Sequence, residues 1–226
     1  MLSKIYQNLI VLLNYVRIIL IVTVLHFLIQ IPATSSLPRA IANSTAGNTI
    51  RILLLLSVVP ITMLCYSYKS ISLFSENQKI KRTIKNITVS KNDIISISIF
   101  GLVDLASILG YIFINGRPQS ALWQNGFFII VLTLITTVCT QPFLEELLYR
   151  GILLGSLENR SKVLALVVSS FIFSYIHVYD FQQVINFHLI GGFIYGLTFL
   201  KTKKLYPSIV LHSVHNLIIL VLICGA

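Results

Sequence analysis

Charge is what this sequence has least of. Only 11% of its 226 residues are charged, and just 7 of those are acidic against 17 basic. Soluble domains carry about 25% charged residues. Together with 56% hydrophobic residues and a mean hydropathy of +0.87, the shortage predicts an all-α, polytopic membrane helix bundle. The net charge of +10 would suit nucleic acid, but the basic residues sit in short connections between apolar runs. That placement orients a chain in a bilayer, so nucleic acid is not an expected partner. Cysteine is scarce too: Cys65, Cys139 and Cys224 are far apart and within apolar runs, which offers no disulfide framework and no paired metal motif. Cys224 is third from the end, not fourth, so the terminus is not itself a prenylation signal. There is no HExxH zinc helix, no repeat, no low-complexity tract and no second domain. Residues 1–226 read as one membrane domain.

What is present is a series of long apolar runs. The first, about 9–31, exceeds a signal-peptide core and reads as an uncleaved helix. Further spans are expected at about 52–68 (with Pro60 inside), 94–114, 127–157, 163–179, 184–200 and 206–224. Trp123 falls where an interfacial aromatic belongs. With the N-terminus inside, 12 basic residues are cytoplasmic, 3 are outside, and Arg17 and Arg150 lie within spans. That bias predicts seven spans with the N-terminus cytoplasmic. The fourth run is about 45 Å long as one helix, which exceeds the hydrocarbon core; it must tilt, emerge, or bend near Pro142.

The chain is organised around QPFLEELLYR, residues 141–150. Two adjacent glutamates and an arginine in membrane-length sequence are expensive and mark a functional site. Glu146 and Arg150 are four apart and can pair on one helical face. Glu145 is turned about 100° away and can face a cavity, where burial prepares a carboxylate to act as a base. Phe173-x-x-x-His177 on the fifth span and His212-x-x-x-Asn216 on the seventh are each one helical face, with His215 turned off the latter. Measured from the cytoplasmic ends of their helices, Glu145, His177 and His212 lie at about 18, 22 and 12 Å, close enough for one intramembrane layer. Gly191, Gly192 and Gly196, with Tyr195, allow close helix approach on the sixth span. Asp104 receives no assigned role. His26 and His188 read as ordinary, with His188 a candidate for the outer rim.

EELLYR, FSYIH and LHSVHN, in that order on successive spans, resemble the CPBP family of intramembrane proteases. That family includes the CAAX prenyl endopeptidases of the Rce type and the bacterial Abi proteins. GGFIYG and TFLKTKKLYPSIVLHSVHN also look like the family's segment before its last motif. The resemblance covers about 127–220, within a catalytic core at 124–226, while 1–123 matches only as hydrophobic spans. It implies an intramembrane endopeptidase acting on a membrane-associated peptide or protein. Glu145 and His177 would activate water, His212 and Asn216 would stabilise the oxyanion, and Glu146, Arg150 and Phe173 would support them. No metal is favoured; if zinc is used, Glu145, His177 and His212 are the expected ligands. A bacterial plasma membrane, with bacteriocin immunity or peptide maturation as the setting, is the implied context. Two rivals remain: a non-catalytic immunity or scaffold protein of the same fold, and a proton or solute pathway through Asp104, Glu145 and His177.

Overall fold

The computed structural model describes residues 13, 16, 17, 19–24, 26, 27, 88–116, 127–158, 161–178 and 187–224. All the regular structure among them is helical, as the composition predicts. The expected second span and Trp123 lie outside the described residues.

Helix α1 (Lys91–Asn115) begins with a capping box. The Asp93 amide donates to Ser90 Oγ at 3.2 Å, and the Ser90 amide donates back to Asp93 Oδ2 at 2.8 Å. It stops at Gly116, whose φ of 79° only glycine adopts without strain. Among the described residues it is the one helix long and apolar enough to cross a membrane. Its polarity is inverted: Asp93, Ser96 and Asp104 are buried, while Ile95, Ile99, Leu102 and Val103 face outward.

Residues 127–157 form one continuous helical path. It runs through α2 (Phe127–Leu134), a π-helical stretch Ile135–Thr140, α3 (Gln141–Glu146), a second π-helical stretch Leu147–Leu154, and α4 (Gly155–Leu157). The junction residues Leu134, Thr140, Gln141, Glu146, Leu147 and Leu154 all keep right-handed helical dihedrals. Pro142 therefore does not break the run. The wider i→i+5 winding ahead of it carries its ring. Such π-bulges recur at functional sites, and these two flank the two glutamates.

Helices α5 (Lys162–Val178), α6 (Phe187–Thr202) and α7 (Tyr206–Cys224) complete the described bundle. Their limits follow the expected spans to within about three residues. Helix α6 sits centrally, against α5, α1 and α7, and α7 also packs on residues 135–146. Gly192 explains the α5–α6 approach: a Cβ there would stand 3.1 Å from the Ser170 Cα and 3.2 Å from its carbonyl oxygen. At the other end, Lys204 Nζ donates to Asp93 Oδ2 at 2.7 Å and to the Thr88 carbonyl at 2.7 Å. Tyr206 Oη adds a third donor to the same Asp93 oxygen at 2.7 Å. This clamp joins the start of α1 to the α6–α7 turn, ahead of the apolar run that begins at Ile94. Burial opposes the Asp93 charge, but Lys204, Ser90 and Tyr206 outweigh it and hold the carboxyl well below the usual carboxylate range.

Candidate active site

Glu145 and Glu146 are both fully buried, and the helix turns them to different partners. Glu146 Oε2 meets Arg150 Nε at 3.1 Å, the i,i+4 pair the spacing predicts. Arg150 has no exposed surface. Its Nη2 donates to the Gly192 carbonyl at 3.0 Å, and its guanidinium lies 4.8 Å above the Phe173 ring and 5.4 Å from that of Tyr195. A buried cation needs this many partners. The other Glu146 oxygen accepts from His212 Nδ1 at 2.9 Å.

Glu145 faces a cavity of about 260 Å³. Gln141, one turn before it, donates to its Oε1 at 3.0 Å. Its Oε2 lies 3.6 Å from His177 Nε2 and 3.8 Å from His212 Nε2. Both distances are too long for a direct hydrogen bond. His177 Nδ1 donates to the Phe173 carbonyl at 2.6 Å. In the neutral ring this bond leaves the Nε2 lone pair aimed at Glu145. Phe173 packs on that ring at 4.4 Å and also touches His212 and Tyr195, so one aromatic side chain spaces three site groups. Tyr195 stacks on His212 at 4.7 Å and 16°. Asn216 lines the same cavity, and its Nδ2 donates to the Thr137 carbonyl at 2.8 Å.

Glu145, His177, His212 and Asn216 are thus brought to one cavity from three helices, with Phe173 on the same wall and Glu146 and Arg150 packed behind. The histidine hydrogens add a restriction. Glu146 is paired with Arg150 and accepts at His212 Nδ1, so that nitrogen carries a hydrogen. Donation from His212 Nε2 then needs a second hydrogen on the ring.

Among the other groups here, His188 was read as a candidate for the outer rim and lines the cavity, while His26, His215 and Asp104 were given no role in the site from sequence. His26, read as ordinary, is buried with its ring 5.1 Å from His177, and its Nδ1 shares a 3.0 Å hydrogen bond with Tyr149 Oη. His188 stacks on His177 at 4.7 Å. His215 lines the cavity although it lies off the His212–Asn216 face, and its Nδ1 meets both Asp104 oxygens at 2.9 and 3.0 Å. Asp104 is the one acidic residue within the apolar run of α1, and His215 faces it from α7. That such groups pair inside a bundle is the signal that could have linked them.

A metal fit differs from the expected triad. Among the described residues, the group whose ligand atoms lie within 4.8 Å of one another is His26, Glu145 and His177. His26 takes the place expected of His212. Tetrahedral zinc, with bonds of about 2.0–2.2 Å, needs its ligand atoms roughly 3.3–3.5 Å apart. The donor chemistry suits zinc, and the His177 Nε2–Glu145 Oε2 separation of 3.6 Å is close to that spacing.

Compared with known proteins, residues 127–218 match the family model described as type II CAAX prenyl endopeptidase Rce1-like. The matched segment runs from the start of α2 into α7 and contains every candidate catalytic residue. No curated protein and no solved structure matches the chain.

Proposed function

Taking residues 127–218 as a segment of the Rce1-like protease family, we propose that the chain is an intramembrane endopeptidase that cuts a membrane-associated peptide or protein with activated water. The observation that carries this reading is the Glu145 carboxylate at the cavity wall, held by Gln141 and facing two histidine Nε2 atoms at 3.6 and 3.8 Å. A separation of 3.6 Å is too long for a bond between the groups and short enough for one water to contact both. Glu145 takes the proton of that water as its oxygen adds to the scissile carbonyl, with His177 orienting it. The oxyanion accepts from His212 Nε2, whose ring is held by Glu146 at Nδ1, and from Asn216. When the C–N bond breaks, the proton held by Glu145 passes to the leaving amine. No metal takes part in this scheme. If a cation binds, His26, Glu145 and His177 would hold it, and it would polarise the water.

The same reading places the chain in a bacterial plasma membrane as a seven-span protein with its N-terminus cytoplasmic. Bacteriocin immunity or peptide maturation is its proposed setting. The outward apolar face of α1 supports the membrane placement.

The test is cleavage of a co-expressed library of membrane and leader peptides, read by mass spectrometry. A product made by wild type, lost in Glu145→Ala and His212→Ala and insensitive to a zinc chelator, is expected. No product, together with a cellular phenotype that survives both substitutions, would replace catalysis with a binding or immunity role.

A further inference from the structure

Asn216 reaches the cavity from α7, yet its hydrogen-bond partner is a backbone carbonyl on another helix. That carbonyl, Thr137, has an unusual history. In the π-helical stretch the Gln141 amide donates five residues back, to Thr136. The same winding assigns the Thr137 carbonyl to the amide of residue 142, and residue 142 is proline, which has none. The vacated carbonyl accepts instead from Asn216 Nδ2 at 2.8 Å.

We propose that Pro142 is a positioning residue: by withholding one backbone N–H it reserves the Thr137 carbonyl for Asn216 and so fixes the orientation of the cavity-lining amide. A carbonyl can only accept, so this contact decides which end of the Asn216 amide is nitrogen. Nδ2 carries two hydrogens. One is held by Thr137, and the other is left for the cavity that Asn216 lines. Without the anchor the amide turns over at little cost and presents oxygen to a developing oxyanion. The device accounts for a proline three residues before Glu145, inside a helix that neither breaks nor ends there. It rests on the endopeptidase reading only where it concerns rate; the hydrogen-bond exchange stands apart from it.

Two variants separate the missing N–H from the ring. Pro142→Ala supplies the amide. An ester-linked protein carrying lactic acid at position 142 has alanine's side chain and no N–H. Detergent-solubilised protein labelled with ¹⁵N-asparagine reports the Asn216 side-chain amide directly, with Asn216→Asp identifying its signals. The Asn216 signals should shift and exchange faster with solvent in Pro142→Ala, and return to wild-type behaviour in the lactate protein. On the peptide cleaved by wild type, kcat should fall about tenfold or more in Pro142→Ala with KM unchanged, and recover with lactate. A proline that served only the helix would leave the Asn216 signals unmoved, and its replacement by alanine would keep or raise thermal stability without loss of rate. Identical Asn216 signals in all three proteins would overturn the proposal. So would shifted signals in Pro142→Ala with a wild-type kcat. If wild type cleaves nothing, the endopeptidase reading falls, and the amide signals still decide the exchange.

Discussion

At the scale of single residues, two adjacent glutamates of equal burial are expected to fail in different ways. Glu145→Gln removes a charge whose neighbours are an amide and two histidines, so the fold should survive. Peptide cleavage should drop by roughly 10²-fold or more for lack of a base. Glu146→Gln leaves the fully buried Arg150 without its counter-charge, a loss worth about 3–5 kcal/mol. Folded yield and Tm in detergent should therefore collapse for Glu146→Gln and hold for Glu145→Gln, and equal Tm values would contradict the division of roles. The glutamates, His177, His212 and Asn216 were legible because a helical period of 3.6 ties charge and polarity to a face over four residues. His26 and the Asp104–His215 pair were not, because their partners lie 123 and 111 residues away. No local period spans that distance.

Among the helices, the joints most exposed to test are two contacts that set the packing of α6 and α1. Gly192→Ala would press a methyl against the Ser170 backbone while Arg150 depends on the Gly192 carbonyl. Overpacking of this kind costs about 1–3 kcal/mol, and Ser170→Ala should not relieve it, since the Cα and carbonyl are what obstruct. A Gly192→Ala protein with unchanged Tm would refute the tight-joint account. At the other end, Asp93→Asn should lower stability at neutral pH by about 1–2 kcal/mol, because hydrogen bonds to a charged acceptor are worth about 1.5–3 kcal/mol and the amide oxygen keeps part of that. Because Asp93 is held below the ordinary carboxylate range, its contribution is complete above about pH 4 and declines as pH falls toward the folded value. The Tm gap between wild type and Asp93→Asn should therefore shrink in acid. The helix limits followed from apolar run length alone. The two π-helical stretches did not, since an apolar run reads the same whether its backbone bonds reach four residues back or five.

At the scale of the whole molecule, the described residues are arranged inside out, with Glu145, Glu146, Arg150, Ser169, Ser174, Thr198, Ser208 and His212 buried and a large share of the leucine, isoleucine and valine among them outside. In lipid this costs nothing, because hydrocarbon outside is as apolar as a protein core, and helix contacts are made by small residues and hydrogen bonds. Leu102 decides between lipid and water at that surface. It is 68% exposed, near the middle of α1, and is not one of the residues that line the cavity. In water Leu102→Lys would be harmless or would aid solubility. At the centre of a membrane span it costs about 2.5–3.5 kcal/mol on insertion scales. The α1 segment of Leu102→Lys should therefore insert markedly less well than wild type in a reporter-based insertion assay. Leu102→Ile, which keeps the outward face apolar, should insert normally. Equal insertion of wild type and Leu102→Lys would mean that this face of α1 does not meet lipid, and the site would then have to be reread as one sheltered by protein alone.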